Sequence, residues 1–295
     1  MLKAFCVAGH TFHLEMPDDS LIWEHLEQYA PFETVPAASP LFQLAVSDEL
    51  PDVEASPLLV EEPEPGATKI ALYDAGENYL VEMAPTSQHP VNGRLLISKD
   101  IRNALLKITD RKESSALFAV NNSLMLVYAF ATADKMTLEM HSSVVVNDGR
   151  GYMFLGKSGT GKSTHSRLWL HHVPGSVLLN DDNPIIRIGE DGVARVFGSP
   201  WSGKTPCYRN AEAPVGAIVR IVQAPENAIT RYGVLESYAS IYSSCSGFKA
   251  DRAMSDGLHA TLERLALEVP CYKLECLPDR DAAILCSGTV KPQQQ

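Results

Sequence analysis

The residues with the clearest chemical potential form a glycine-rich segment at positions 156–163, GKSGTGKS. This segment fits the pattern G-x-x-x-x-G-K-[ST], in which a loop between a strand and a helix wraps its backbone around phosphate groups. Glycine lets backbone N–H groups approach phosphate oxygens closely, and the following helix adds the positive end of its dipole. The spacing therefore predicts a phosphate-binding loop, referred to below as the glycine-rich loop.

Individual residues of the glycine-rich loop have separate expected roles. We expect Lys162 to reach the terminal phosphates and the Ser163 hydroxyl to ligate Mg²⁺. The other residues expected to hold the nucleotide phosphates are Gly156, Ser158, Gly159, Thr160, Gly161 and Thr164. The alternative interpretation of the segment is a glycine-rich turn that caps an ordinary helix.

Two adjacent carboxylates follow an apolar segment further along the chain. Asp181 and Asp182 end the run VLLNDD at 177–182, which is typical of a short buried strand. Proteins with such a phosphate-binding loop place a Mg²⁺ ligand at the end of a strand of this kind, and a second acid is then available for proton transfer. The alternative interpretation of the pair is a turn before Pro184.

A third segment with chemical potential is the loop at 198–210, GSPWSGKTPCYRN, which is dense in small, cationic and aromatic residues. Lys204 and Arg209 could clamp the transferring phosphate or the acceptor, as mobile cations do in phosphoryl transfer. The alternative interpretation is a proline-rich surface connection that carries incidental charges.

The elements that must position these residues are predicted from the hydrophobic pattern. Around the glycine-rich loop we expect a strand at 151–155 and a helix at 161–172. The segment 122–135 is too apolar for an exposed helix and too short to span a bilayer, so it is predicted to be a buried helix packed against the sheet. Further strands are predicted at 137–147, 185–188, 193–197, 214–224 and 271–276, and further helices at 233–244, 251–267 and 279–286.

The first hundred residues are predicted to be rich in β-strands. Seven prolines between positions 31 and 65 oppose long helices. The segment 69–83 is typical of a hairpin, residues 94–98 of another strand, and residues 20–29 of one amphipathic helix capped by Ser20. A helical pattern begins at position 101. We therefore predict an α/β (α+β) chain with a β-rich domain at 1–120 and a nucleotide-binding domain at 121–295.

Charge and composition exclude several functional classes. The net charge is −11, and thirteen of the 36 acidic residues but one of the 25 basic residues lie in the first 65 positions. Neither part offers the broad basic surface of a nucleic-acid binder. No apolar run approaches the length of a membrane span, and the first residues lack a signal-like apolar core. Six cysteines without a CxxC pair favour reduced thiols, so we expect a cytoplasmic protein.

Three motifs, in this order along the chain, resemble the nucleotide-binding domain shared by bacterial HPr kinase/phosphorylase and ATP-dependent phosphoenolpyruvate carboxykinase. They are HSSVVV at 141–146, GKSGTGKST at 156–164 and LLNDD at 178–182, and the resemblance covers about residues 121–290. The chain also resembles small HPr-kinase-like proteins with a PWSGK-type loop, found here at 200–204. The resemblance implies a P-loop kinase core whose mixed sheet carries the glycine-rich loop, with MgATP as ligand.

The resemblance also implies roles for three residues. It places His141 beside the reaction centre, Asp181 as the general base on an acceptor hydroxyl and Asp182 on the divalent ion, and the roles of the two carboxylates could be exchanged. Taken alone, His141 would more often be a structural histidine. Thr164 stands where HPr kinase/phosphorylase has an acidic residue, and no RGLGI-type segment follows, so the resemblance does not specify the acceptor.

These residues together predict an ATP- and Mg²⁺-dependent kinase that transfers the γ-phosphate to a hydroxyl of a small metabolite or a protein serine. Two other functions stay open, a lyase similar to phosphoenolpyruvate carboxykinase and a non-enzymatic ATP sensor whose loop at 199–210 orders on binding. We expect no nucleic-acid or membrane partner. Similar proteins often assemble, so a homo-oligomer also stays open.

Overall fold

The computed structural model describes residues 1–60, 68–110, 112–203, 205–247 and 251–291. It is a mixed α/β chain with two large mixed sheets and a few helices, as the sequence predicts at this level. The described residues divide into two compact units, one formed by Met1–Ala131 with Asp251 and the other by Thr132–Gly247 with 252–291. The predicted domain boundary after residue 120 lies inside the helix that ends the first unit.

The first unit is built on one sheet, in which the described residues form nine strands. Pairing is antiparallel except where β2 and β9 each run parallel to β4. The sheet order is β3-β1-β2-β4-β9-β8-β7-β6-β5. The strands are β1 (Leu2–Val7), β2 (His10–Glu15), β3 (Glu33–Thr34), β4 (Gln43–Val46), β5 (Ser56–Val60), β6 (Lys69–Ala75), β7 (Asn78–Ala84), β8 (Gly93–Ser98) and β9 (Asn103–Ile108).

Predictions for the first unit are partly confirmed. The hairpin is present as β6 and β7, and the strand at 94–98 as β8. The single helix expected at 20–29 is wrong, because two short 3₁₀ helices occupy Leu21–His25 and Glu27–Phe32 and Ser20 makes no capping bond. The helical pattern expected from position 101 is also wrong at its start, since β9 joins the sheet there.

Helix α1 (Glu113–Thr132) packs against this sheet. The Tyr128 hydroxyl donates to the Val7 carbonyl at 3.0 Å, and the Gln28 amide donates to Asn121 Oδ1 at 3.0 Å. The predicted buried helix is therefore present, but it begins well before position 122. Within the described part of the chain, α1 is the one helix long and apolar enough to cross a membrane, and 61% of its apolar window is buried inside the protein. The expectation that no apolar run approaches that length is wrong.

The second unit carries the glycine-rich loop on another sheet. Among the described residues the sheet order is β10-β14-β15-β16-β12-β11-β13, with β18 beside both β16 and β17. The central strand β16 runs parallel to β12 and β18, and the other pairs are antiparallel. The strands are β10 (Thr137–Glu139), β11 (Ser142–Asn147), β12 (Arg150–Leu155), β13 (Val177–Asp182), β14 (Ile185–Ile188), β15 (Ala194–Phe197), β16 (Glu212–Gln223), β17 (Ala228–Arg231) and β18 (Cys271–Cys276).

Helices cover both faces of this sheet, which explains the uninterrupted apolar run of β12. Because side chains alternate along a strand, Tyr152 and Phe154 pack with Trp169 on one face, whereas Met153 and Leu155 pack with Leu262 on the other. The predicted helices are all present, and the last extends beyond its expected end. They are α2 (Lys162–His172), α3 (Val234–Tyr242), α4 (Arg252–Glu268) and α5 (Arg280–Val290).

Candidate functional site

The glycine-rich loop connects β12 to α2, as its sequence predicts. Gly159 and Gly161 have φ angles of +81° and +103°, in the region that residues with a Cβ atom rarely adopt. At Gly156 the constraint is steric, because a Cβ atom there would collide with the hydroxyl of Thr160. That hydroxyl donates to the Lys157 carbonyl at 2.8 Å and tightens the loop. The loop geometry therefore requires glycine at these three positions.

Lys162, the first residue of α2, folds back over the loop that precedes it. Its side chain is largely buried, and Nζ lies 2.8 Å from His141 Nε2 and 3.0 Å from the Gly156 carbonyl oxygen. Burial lowers the pKa of the Lys162 ammonium, although the nearby carboxylates of Asp182 and Asp181 act to raise it. The Lys162 ammonium is thus held at the start of α2 by two hydrogen-bond acceptors and by the charge of two nearby carboxylates.

His141 links this lysine to a carboxylate. Its Nδ1 lies 2.9 Å from Asp182 Oδ1, while Nε2 faces the Lys162 ammonium. Because an ammonium group can only donate, Nε2 accepts and the ring proton on Nδ1 is directed to Asp182. The structure therefore joins three of the predicted residues in one hydrogen-bonded chain, Asp182–His141–Lys162, called the site chain below.

The paired carboxylates lie at the end of β13, where Ser143 of β11 is the register partner of Asp181. Asp181 is 5% exposed, whereas the Asp182 side chain is 34% exposed, so the two acids have different access to water. The Asp181 carbonyl accepts from the Gly203 N–H at 2.7 Å and from the Ser202 hydroxyl at 3.2 Å. The loop at 198–210 is therefore attached to the end of β13 by its first half.

Asp182 has an unusual backbone conformation. Its φ of +156° is rare for a residue with a Cβ atom, and such conformations cost about 1–3 kcal/mol. The Cα of Gly203 packs against its side chain, since a Cβ added to that glycine would lie 3.0 Å from Asp182 Oδ2. A backbone bridge to Ser202 and the hydrogen bond from His141 Nδ1 hold Asp182 in place.

A buried carboxyl group, Glu139, lies close to this site. Burial raises its pKa from 4.5 to about 8, against the lowering effect of a hydrogen bond from Ser246 and with a further increase from Asp182. The Ser246 hydroxyl donates to Glu139 Oε1 at 3.2 Å, and Oε2 has no hydrogen-bond partner among the described residues. The segment that contains Ser246 also positions His141, because the His141 N–H donates to the carbonyl of Ser244 at 2.7 Å.

The raised pKa of Glu139 predicts a loss of stability with increasing pH. The unfolded chain ionises this carboxyl near pH 4.5, whereas the folded protein keeps it protonated to about pH 8, so its stabilising contribution is present below the first value and lost toward the second. We expect Glu139→Gln to reduce the fall in unfolding free energy between pH 5 and pH 8 by about 3 kcal/mol. Urea denaturation at both pH values measures this, and Glu226→Gln at an exposed position is the control. Equal pH dependence in wild type and Glu139→Gln would contradict the buried protonated state.

Arg220 of β16 is a further residue at the site that sequence reasoning missed. It is the register partner of Leu155, which immediately precedes the glycine-rich loop. Its guanidinium donates to the hydroxyls of Ser240, Ser243 and Ser244 at 2.7, 2.8 and 2.9 Å. Arg220 therefore fixes the segment whose carbonyl holds His141. The available signal was a cation within the apolar run GAIVRIV, since a buried charge is rare without a specific partner.

The structure leaves untested the phosphate-clamping role predicted for Lys204 and Arg209. Lys204 lies outside the described residues, so its role stays a prediction. Arg209 is exposed and lies near Cys207, whose Sγ donates to the Leu179 carbonyl at 3.4 Å. Burial raises the pKa of the Cys207 thiol, although Arg209 acts to lower it. A direct role of Arg209 at the phosphate also stays a prediction.

Asp182 and Ser163 are the predicted magnesium ligands, and their chemistry fits that ion. Mg²⁺ takes oxygen ligands and is usually held by one or two protein groups together with substrate phosphates and water. The partly exposed Asp182 carboxylate and the partly exposed Ser163 at the start of α2 supply such groups. Across the described residues no cluster of three or more His, Cys, Asp or Glu side chains could hold a metal ion. An ion held by these two groups would complete its ligands with phosphate oxygens and water.

Comparison with known proteins adds no relative to this picture. Neither models of known protein families nor the curated proteins match this sequence. All three motifs contribute to the site, since His141, Lys162 and Asp182 come from one motif each.

Proposed function

We propose that this protein is a P-loop kinase of the HPr kinase/phosphoenolpyruvate carboxykinase type, which uses MgATP to phosphorylate a hydroxyl group. The observation that carries the proposal is the site chain. It brings a cation, an imidazole and a carboxylate together at the first residue of α2, although His141 and Lys162 are 21 positions apart in sequence. Phosphoryl transfer requires mainly positioning and charge stabilisation, and these three groups are suited to both.

Phosphate binding is the first requirement of this function. The N–H groups of the glycine-rich loop and of the N-terminus of α2 would donate hydrogen bonds to the phosphates, and Lys162 would exchange part of its contact with His141 for a phosphate oxygen. Asp182 and Ser163 would hold Mg²⁺, which when bound neutralises charge on the phosphate oxygens. The His141 ring keeps Asp182 oriented toward the start of α2 through Nδ1.

Proton transfer is the second requirement, and Asp181 is the candidate base. The acceptor oxygen forms a bond to the γ-phosphorus as the bond from that phosphorus to the bridging oxygen breaks, and ADP leaves with the electron pair. The hydroxyl proton passes to the Asp181 carboxylate. Because Asp181 is 5% exposed, few water molecules can compete with the acceptor there.

The fate of ATP distinguishes the proposal from its two alternatives. We expect radiolabelled γ-phosphate to be transferred from ATP to at least one acceptor in a panel of hydroxyl metabolites and serine-containing peptides. Release of CO₂ from oxaloacetate with consumption of ATP would indicate the lyase instead. Tight ATP binding with negligible turnover for every acceptor would indicate the sensor. The buried second carboxylate, Asp181, favours an enzyme, since binding alone needs only the metal ligand.

The cellular setting is part of the same proposal. All six cysteines are free in the structure, and four of them, Cys207, Cys271, Cys276 and Cys286, are buried. Burial raises the pKa values of the Cys271, Cys276 and Cys286 thiols, which keeps them protonated and unreactive. Reduced thiols suit a cytoplasmic kinase.

A further inference from the structure

A pocket of about 320 Å³ lies on the sheet of the first unit, on the face opposite to α1. Side chains alternate along a strand, and Met83 of β7 faces α1, where the Ser123 hydroxyl contacts its sulfur. Leu80 of β7 and Leu96 of β8 are register partners on the other face and line the pocket. The segment 50–54 lines it as well, and its apolar side chains pack against these two leucines. The pocket therefore has an apolar floor and an apolar part in its cover.

Two cations stand side by side in this pocket. Arg94 of β8 and Lys107 of β9 are register partners, although like charges placed directly opposite each other destabilise a sheet. The Arg94 Nε donates to Glu82 Oε1 at 3.1 Å, whereas the Lys107 ammonium has no hydrogen-bond or ion-pair partner among the described residues. A carboxylate can accept charge-assisted hydrogen bonds from two neighbouring cations. The pair is thus suited to hold the carboxylate of a ligand.

Two carboxylates line the same pocket from the segment 50–54. Asp52 and Glu54 are exposed, and in the part of the chain that the structure describes neither forms an ion pair with Arg94 or Lys107. Positive and negative groups are therefore both present around the apolar floor without neutralising each other. A ligand that carries both charges would complement both sets of groups, whereas a simple anion or a simple cation would complement one of them.

We propose that this pocket binds a free α-amino acid with an apolar side chain. The ligand carboxylate would contact Arg94 and Lys107, and the ligand ammonium group would contact Asp52 and Glu54. The ligand side chain would pack on Leu80. The volume is at the lower end of the range for small-molecule sites, which suits a ligand of this size. The inference goes beyond the proposed kinase function and does not depend on it, because every residue that lines the pocket belongs to the first unit.

Calorimetric titration of the full-length protein with L-leucine, L-methionine and L-phenylalanine tests the ligand class. We expect saturable binding of at least one of them. The matching acid without the amino group and the matching amine without the carboxyl group should each bind about tenfold more weakly, because each loses one set of charge-assisted hydrogen bonds. Glycine, which has both charges but no apolar side chain, should also bind more weakly.

Substitution of Lys107 tests the location. Lys107→Ala should lower the affinity for the bound amino acid about tenfold, because it removes one cation from the carboxylate. The same change should not reduce thermal stability, since it removes a like charge opposite Arg94. Lys107→Arg keeps the charge and should retain binding. The matched control is Lys112→Ala, at an exposed lysine outside the pocket, which should leave the affinity unchanged.

Three results would overturn the proposal. One is no saturable binding of any of the three amino acids by wild type. Another is equal affinity for the amino acid and for its counterpart without the amino group, because Asp52 and Glu54 would then take no part. The third is unchanged affinity in Lys107→Ala, which would place the ligand elsewhere. The transfer of labelled phosphate from ATP is measured separately, so failure of either proposal leaves the other standing.

Discussion

Replacement of Lys162 by alanine is expected to abolish ATP turnover while leaving the fold intact. The side chain is buried over the glycine-rich loop and supplies its cation, so its loss removes the group that would contact the terminal phosphates. The substitution removes the hydrogen bond from the Lys162 ammonium to the Gly156 carbonyl, but the bond from the Thr160 hydroxyl to the Lys157 carbonyl, which tightens the loop, does not involve the ammonium group. Circular dichroism should therefore show unchanged secondary structure.

Thermal unfolding with and without MgATP measures the binding part of this prediction. A ligand present at a hundredfold its dissociation constant stabilises the folded state by about 2.7 kcal/mol, so wild type should unfold at a higher temperature with MgATP. Lys162→Ala should lose that increase. Lys135→Ala, at an exposed lysine paired with its neighbour Asp134, is the control and should keep it. Retained turnover in Lys162→Ala, or no increase in wild type, would contradict the kinase proposal.

Substitution of Asp181 by asparagine is expected to lower kcat by about 10²- to 10⁴-fold with little change in ATP affinity. Asparagine has nearly the same size and leaves the Asp181 carbonyl available to Gly203 and Ser202, but its amide cannot take the acceptor's proton. Steady-state kinetics with the identified acceptor, together with ATP titration, separate the two quantities.

Asp182→Asn provides the contrast for this prediction. If Asp182 is the metal ligand, its substitution should raise the Mg²⁺ concentration needed for half-maximal activity, whereas Asp181→Asn should not. Asp256→Asn, on the exposed surface of α4, is the neutral control. A change of ATP affinity alone in Asp181→Asn would make it a binding residue, and the reverse pattern in the two variants would exchange their roles.

Local chemistry explains which parts of the fold could be predicted. The strand at 177–182, the hairpin at 185–197 and the helix after the glycine-rich loop were predictable because each has its own hydrophobic period or turn signal. The failures occurred where tertiary packing decided the outcome. Strand β9 is held by β4 and β8. Helix α1 begins at Glu113, and its first residues are polar and exposed, so they carry no apolar period that marks the start of the helix.

For the candidate site, the sequence by itself determined the glycine-rich loop and the pair of carboxylates. Both are short segments, and neighbouring residues alone decide them: glycines allow the loop backbone, and an apolar strand ends in two acids. The site chain and the contacts of Arg220 with the serines that hold His141 were decided by the tertiary structure. His141 meets Asp182 because β11 pairs with β13, and it is held by Ser244, which Arg220 of β16 binds. Sequence spacing carries no information about such contacts, because the pairing of strands brings together residues that are tens of positions apart.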